Sequence, residues 1–257
     1  MGGGMRQVDR SLSPRARLIV ALDFDNRADA FRLVDALGDH VVFYKVGMEL
    51  LVSEGPQVLR ELKNRRKQVF LDIKFGDIDE TVERTIRSVA RLGIDLLTLH
   101  GAAATAQAAR RGRGENGRPK LLSLTYLSSL DQTDLTELLS SEGVTLADHI
   151  RRRAVQSLRA GCDGLIASGE SVADLRDYLQ NEHGLFPILV APGIRPAGAS
   201  SNDHKRTLTP GQAMKAGADY IVVGRPIRNA DDCVTVADAI VREMEEALQE
   251  ENLNEPA

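Results

Sequence analysis

The sequence of 257 residues has no tryptophan, two cysteines and no large excess of either charge. Cys162 and Cys233 lie far apart and outside any metal-ligand spacing, which argues against a disulfide framework or a structural metal and predicts two reduced thiols. With 33 basic and 37 acidic residues, the net charge of −4 provides no attractive field for nucleic acid or an acidic membrane. No apolar run approaches the roughly 20 residues of a membrane span. These absences favour a soluble cytoplasmic protein that recognises phosphate, if at all, through local groups.

What the chain does contain is an even supply of apolar and charged residues, 42% and 27% of the total, as in soluble globular proteins. Its length fits two ordinary domains or one α/β barrel. We expect a disordered N-terminal segment at 1–14, a single domain at 15–250 and a frayed acidic tail at 251–257.

Short apolar segments alternate with helical patterns along the chain, without a break in composition. The predicted strands are 18–24, 41–46, 69–74, 96–100, 120–127, 164–168, 187–192 and 220–224. The helices predicted around them are 28–37, 57–63, 81–92, 102–111, 148–160, 210–216 and 233–248. Eight strands in this alternation predict an α/β protein with a single (β/α)₈ TIM barrel.

Charged side chains lie at the ends of the first three predicted strands. Asp72 and Lys74 are two residues apart and share one face of strand 69–74, although burying an ion pair has a high desolvation cost. Asp23 and Lys45 end the two strands before it. Because the active site of a (β/α)₈ barrel lies at the carboxyl ends of its strands, these groups are expected to converge there. The alternative is a solvated edge strand with an ion pair.

The chemistry of such an array includes proton donation to a carbanion by Lys74, while Asp72 could press against a substrate carboxylate. Two later loops carry groups suited to phosphate. One follows strand 187–192 and contains Arg195 and a basic segment up to Arg206; the other is Gly224-Arg225-Pro226. The alternative for these loops is a solvated basic loop and an ordinary turn.

Six short motifs, spread over nearly the whole chain, occur in the order of a known family. They are Leu22-Asp23, Lys45-Val-Gly47, Asp72-Ile-Lys-Phe-Gly-Asp-Ile78, Leu127-Ser-Ser129, Ala191-Pro-Gly-Ile-Arg-Pro196 and Val223-Gly-Arg-Pro226. Together they resemble orotidine 5'-phosphate decarboxylases of the bacterial type. The resemblance implies cofactor-free and metal-free conversion of orotidine 5'-monophosphate to uridine 5'-monophosphate in de novo pyrimidine biosynthesis.

The resemblance also implies roles for individual residues and a homodimer with shared sites. Lys74 would be the proton donor and Asp72 would abut the substrate carboxylate, and the implied catalytic set is Lys74, Asp72, Asp77 and Lys45. Asp77, Ile78 and Thr81 would reach the neighbouring subunit's site, Asp23 would bind ribose, and Ser128 the pyrimidine. The implied substrate-binding set is Asp23, Ile78, Thr81, Ser128, Arg195, His204, Gly224 and Arg225.

The chain departs from the family pattern at two places. Gly76-Asp-Ile-Asp-Glu-Thr81 replaces His-Asp-Ile-Pro-Asn-Thr, which predicts a more flexible backbone there, and His204 replaces a glutamine that grips phosphate. Two alternatives stay open. One is a related magnesium-dependent sugar-phosphate decarboxylase or aldolase, and the other is a barrel that binds a nucleotide without turning it over.

Overall fold

Eight parallel strands form a closed barrel in chain order, and β1 pairs with β8 to complete it. The computed structural model describes residues 12–127, 130–139, 143–169, 171–196 and 208–254. The strands are β1 Leu18–Ala21, β2 Phe43–Gly47, β3 Gln68–Phe75, β4 Leu96–Leu99, β5 Lys120–Leu124, β6 Gly164–Ile166, β7 Ile188–Ala191 and β8 Tyr220–Val223. The predicted single (β/α)₈ barrel is therefore confirmed.

Helices connect the strands and cover the outside of the barrel. They are α1 Pro14–Arg17, α2 Arg27–Leu37, α3 Met48–Glu54, α4 Gln57–Asn64, α5 Asp79–Arg91, α6 Ala103–Arg113, α7 Gln132–Leu139, α8 Leu146–Ala160, α9 Ser171–His183, α10 Pro210–Lys215, α11 Arg225–Arg228 and α12 Cys233–Asn254. The sequence-based assignment lacks five of these helices, namely α1, α3, α7, α9 and α11. Helix α3 begins directly after β2 at Gly47, which has no capping side chain, so the usual start signal is missing there.

Both ends of the domain differ from the sequence-based boundaries. Ser13, within the segment expected to be disordered, caps α1 by accepting a hydrogen bond from the Ala16 amide. At the other end, α12 continues to Asn254, into the segment expected to be frayed.

Apolar side chains pack on both faces of the strands, which is why their sequences are nearly continuous apolar runs. One cluster fills the barrel interior and consists of Ile19, Ala21, Phe43, Phe70, Leu96, Leu122, Val190 and Val222. A larger cluster lies between the strands and the helices. Phe70 belongs to the interior cluster, so Asp72, two residues further along β3, also faces the barrel axis. The interior cluster thus forms the floor beneath the carboxyl ends of the strands.

Three connections reach the amino end of the barrel through the same Gly-x-Asp sequence, at 93–95, 161–163 and 217–219. In the third, the Asp219 carboxylate accepts a hydrogen bond from the Leu189 amide of β7 at 2.8 Å and pairs with Arg176 at 2.8 Å. Asp95 and Asp163 accept in the same way from the amides of Val69 and Leu121, at 2.9 and 2.8 Å. Each aspartate therefore joins two neighbouring strands at the end of the barrel that serves stability.

We expect Asp219→Asn to lower the free energy of unfolding by about 3 kcal/mol, because it leaves the Arg176 charge buried without its carboxylate. Both side chains of this pair are 10% exposed or less. Urea unfolding measures the change. The control is Asp35→Asn, which removes a carboxylate that is 65% exposed and paired with Arg65; its loss should change stability by less than about 1 kcal/mol. Equal effects of the two substitutions would contradict the assignment.

Candidate active site

Four charged side chains form a row at the carboxyl ends of β1, β2 and β3. Lys45 Nζ lies 2.8 Å from Asp23 Oδ1 and 3.8 Å from Asp72 Oδ2, and Lys74 Nζ lies 3.0 Å from Asp72 Oδ1. The charges therefore alternate in sign along the row Asp23, Lys45, Asp72, Lys74. The structure brings together the four residues that the sequence placed at strand ends, and it excludes the solvated edge strand because the sheet is closed.

The inner members of this row are largely buried and the outer ones are accessible. The side chains of Lys45 and Asp72 are 12% and 17% exposed, whereas those of Asp23 and Lys74 are 46% and 41% exposed. A buried charge is tolerated when neighbours of opposite sign and hydrogen bonds surround it. The Lys74 ammonium is thus anchored on one side by a buried carboxylate and open to a ligand on the other.

Thr98 also orients the row, although the sequence analysis did not single it out. Its hydroxyl donates to Asp72 Oδ1 at 2.8 Å, so this oxygen accepts from both Thr98 and Lys74. Leu71 aligns with Leu97 between β3 and β4, which places Thr98 beside Asp72. Thr98 is fully buried in a strand that is otherwise apolar, and that lone hydroxyl was the available signal.

The backbone of Lys74 has an unusual conformation. Its φ is 50°, a region that residues other than glycine rarely occupy. The pairing of β3 with β4 shifts between Leu71 and Phe75. Leu71 pairs with Leu97 and Phe75 with Leu99, so that an advance of four residues along β3 matches an advance of only two along β4. Strain of this kind is stored at functional sites when the surroundings enforce it.

A cavity of about 130 Å³ opens beside the row. Its floor is apolar and includes Phe70, Val190 and Val222 of the barrel interior. Lys45, Asp72 and Lys74 line one side, and the other lining residues include Tyr126 and Ser168, neither of which was selected from the sequence. Since an apolar cavity of about 150 Å³ accommodates benzene, this one has the size of a single ring.

Asp77, Ile78 and Thr81 lie outside this row in the subunit described. The Asp77 carboxylate is exposed and accepts a hydrogen bond from the Ile78 amide at 2.6 Å. The Ile78 side chain is 70% exposed, and Thr81 is half-buried on α5. Within one chain, the structure therefore does not bring these three residues to Lys74.

The loop after β8 lies against the first member of the row. A β-carbon on Gly224 would lie 3.6 Å from Asp23 Oδ2, so this backbone passes close to the carboxylate. Arg225 begins α11, and Arg228, which the sequence analysis did not select, donates to the Asp23 carbonyl and stacks over the Phe24 ring at 5.5 Å. Arg228 thus joins the loop after β8 to the segment that bears Asp23.

The loop after β7 is described only in part. Arg195 donates through its guanidinium to the Ile194 carbonyl at 2.8 Å, and its amide donates to the Leu208 carbonyl at 3.0 Å. His204 and Ser128 lie outside the described residues.

The segment beyond Lys74 corrects one expectation from the sequence. Gly76 was expected to loosen the backbone, but a β-carbon at this position would lie 2.2 Å from the His100 carbonyl oxygen. The His100 amide also donates to the Phe75 carbonyl at 2.9 Å. Glycine therefore permits a tight contact between the end of β3 and the end of β4.

The His100 imidazole has a lowered pKa. Partial burial disfavours its charged form, and the positive charges of Arg153 and Lys74 act in the same direction. An imidazole with a lowered pKa adds no positive charge to this side of the site at neutral pH.

The described residues also bear on metal binding and on membrane insertion. No group of three or more His, Cys, Asp or Glu side chains in this part of the chain is arranged to hold a metal ion. Among the helices of the described segments, none is both long enough and apolar enough to cross a membrane.

Comparison with known proteins relates this geometry to a family. The family model described as "Orotidine 5'-phosphate decarboxylase / HUMPS family" matches residues 16–240. A curated orotidine 5'-phosphate decarboxylase from Nitrobacter winogradskyi is 45% identical over 91% of this chain and 95% of its own length. One from Methylorubrum extorquens is 44% identical over 92% of this chain and 99% of its own length.

Solved structures agree with the sequence relatives. A crystal structure of orotidine 5'-phosphate decarboxylase from Lactobacillus acidophilus has a TM-score of 0.77 and 34% identity, covering 88% of this chain and 98% of that one. An uncharacterised conserved protein from Geobacillus kaustophilus has a TM-score of 0.75 and 30% identity, covering 88% of this chain and 99% of that one. From its sequence and its fold, the chain belongs to the orotidine 5'-phosphate decarboxylase / HUMPS family.

Proposed function

We propose that this protein decarboxylates orotidine 5'-monophosphate to uridine 5'-monophosphate, without a cofactor, in cytoplasmic de novo pyrimidine biosynthesis. The observation that carries the proposal is the Lys74 ammonium, held 3.0 Å from Asp72 at the edge of a cavity with an apolar floor. The names of the curated relatives support the same reaction.

The reaction requires a proton donor at the carbon that loses the carboxylate. The bond from C6 of the pyrimidine to the carboxylate breaks, carbon dioxide leaves, and the electron pair stays on C6. A proton from Lys74 Nζ then forms the C6–H bond of the product. The Thr98 hydroxyl fixes the orientation of Asp72, and Asp72 in turn holds the Lys74 ammonium in place for this transfer.

The other proposed contacts follow the position of the row. A pyrimidine in the cavity beside Lys74 would leave its ribose near Asp23 and its phosphate near the loop after β8, since Gly224 is adjacent to Asp23. Ser128 is assigned to the pyrimidine, and the phosphate to Arg195, His204, Gly224 and Arg225.

We also propose a homodimer in which each site uses residues of both subunits. Exposed apolar side chains follow two neighbouring strand ends: Met48 and Val52 of α3, after β2, are 55% and 76% exposed, and Ile78, after β3, is 70% exposed. Burial of such side chains against a second copy would stabilise a symmetric pair. Asp77 and Thr81 lie in the same segment as Ile78 and would enter the site of the partner.

The experiment that tests the function is an ultraviolet assay of the purified protein with orotidine 5'-monophosphate in the presence of a chelator. Conversion to uridine 5'-monophosphate is the expected result. Turnover that appears only after magnesium is added, or turnover of a sugar phosphate in its place, would assign the chain to the magnesium-dependent branch. Binding without turnover would make it a nucleotide-binding barrel.

A further prediction concerns His204 and pH. If a protonated His204 donates to the phosphate dianion, binding raises its pKa, so the added affinity is present below the free-enzyme pKa and fades as pH rises through the bound value. The gain is about 1 kcal/mol relative to a neutral donor. Titration of uridine 5'-monophosphate at several pH values measures it.

The control for this prediction is His204→Gln, which keeps a donor but cannot gain a proton. The second ionisation of the phosphate, near pH 6, acts in the opposite direction in both proteins and cancels in the comparison. The same pH curve for both proteins would rule out a protonated imidazole on the phosphate.

A further inference from the structure

The chain on the carboxyl side of Lys74 is bound to one residue of the neighbouring strand through its backbone. The Phe75 carbonyl accepts a hydrogen bond from the His100 amide at 2.9 Å. Gly76 packs against the His100 carbonyl oxygen, which would lie 2.2 Å from a β-carbon placed on residue 76. Real β-carbons do not come that close to an oxygen, so any other residue would push the end of β3 away from β4.

The chain on the amino side of Lys74 is also fixed. Asp72 accepts the Thr98 hydroxyl at 2.8 Å, and both residues are inside the barrel. Lys74 therefore lies between two anchors, Thr98 before it and His100 after it, and both anchors belong to β4 or its end. Because of the shifted register, the four-residue advance from Leu71 to Phe75 has to fit beside a two-residue advance of β4.

This compression accounts for the positive φ of Lys74. With both ends of the segment fixed, the extra length on β3 has to bulge, and residue 74 takes the left-handed conformation of 50°. A lysine free of such anchors would return to an extended backbone, because its β-carbon opposes the left-handed region.

We propose that Gly76 is a positioning residue, whose close contact with His100 maintains the bulge that turns the Lys74 ammonium onto Asp72. This inference rests on the proposed decarboxylation. Gly76 touches no reacting atom and acts through the backbone of Lys74.

The first test compares Gly76→Ala with Gly112→Ala. A β-carbon placed on Gly112 of α6 would lie 2.3 Å from the carbonyl oxygen of Glu83 on α5. This clash is similar to the one at Gly76 but lies far from the charged row. Both variants should melt at lower temperature. Gly76→Ala alone should lower kcat, by about 10- to 100-fold with KM changed less than about threefold, because a donor displaced by about 1 Å loses transition-state contact.

A binding measurement separates displacement of the donor from general damage. Affinity for uridine 5'-monophosphate should be nearly unchanged in Gly76→Ala. Affinity for an analogue that carries an oxyanion on C6 should fall by about tenfold or more, since that charge requires the Lys74 ammonium in place. Equal kcat values for Gly76→Ala and the parent protein, or equal losses for both nucleotides, would overturn the proposal.

The second test is a cycle of melting temperatures that does not depend on activity. Lys74→Gly should melt about 2–4 °C higher than Lys74→Ala, because glycine relieves the left-handed strain and both variants remove the same charge. In the Lys74→Gly background, Gly76→Ala should then cost less than in the parent protein, because a relaxed bulge can absorb the shift.

The outcomes of this cycle are decisive in each direction. Equal melting temperatures for Lys74→Gly and Lys74→Ala, or a Gly76→Ala effect that adds independently of residue 74, would overturn the proposal. If Gly76→Ala alone does not fold, recovery of folded protein in the Lys74→Gly, Gly76→Ala double variant supports the coupling, and no recovery contradicts it. If the parent protein lacks decarboxylase activity, the proposed function fails while the cycle still tests the bulge.

Discussion

Replacing Lys74 by alanine is expected to lower kcat for decarboxylation by about 10⁴-fold, the upper range for a positioned proton donor. The C6 carbanion would form beside Asp72 with no ammonium to stabilise or protonate it. The barrel should remain folded, because the Lys74 side chain is 41% exposed and lies outside the apolar clusters. Steady-state kinetics with circular dichroism measure both quantities.

The matched control is Lys63→Ala, which also removes a lysine paired with an aspartate. Lys63 Nζ lies 2.7 Å from Asp95 Oδ2 at the amino end of the barrel, away from the proposed site. This variant should lose stability but keep its kcat. A folded Lys74→Ala protein with near-parental turnover would show that Lys74 is not the proton donor.

Mixing two inactive variants is expected to restore activity if the sites are shared. In a homodimer with shared sites, Lys74→Ala and Asp77→Ala would each disable both sites. In a heterodimer, however, one site combines the intact Lys74 of one subunit with the intact Asp77 of the other. Random exchange would return about a quarter of parental activity, because about half of the dimers are mixed and each has one complete site.

The structure of the single chain makes this expectation specific. Asp77 is exposed and its carboxylate bonds to the adjacent Ile78 amide, whereas the four members of the row contact one another within one subunit. The measurement is activity after subunit exchange, with exchange verified by differently tagged chains. A control mixture of the Lys74→Ala protein with the Asp72→Ala protein should give no recovery. Both residues lie on β3 and serve the same site, so each site of the mixed dimer lacks one of them. Verified exchange without recovery from the first mixture would contradict shared sites.

The sequence by itself determined the barrel and the members of the charged row. Short apolar strands alternating with amphipathic helices are local patterns, and in a closed parallel barrel they bring the carboxyl ends of all strands to one rim. A charged residue at the end of an apolar strand is therefore assigned to the rim without knowledge of its neighbours. Asp23, Lys45, Asp72 and Lys74 were found in this way, and the loops after β7 and β8 were selected from their own basic residues and glycine.

Only the tertiary structure decided which groups hold that row in place. The hydroxyl of Thr98 reaches Asp72 and the carbonyl of His100 meets Gly76 because of the register between β3 and β4, which residue spacing along one strand does not fix. The left-handed backbone of Lys74 arises from the same shifted pairing. Glycine in a sequence predicts backbone freedom, but in the folded barrel Gly76 instead permits a close backbone contact with His100 next to the proposed proton donor.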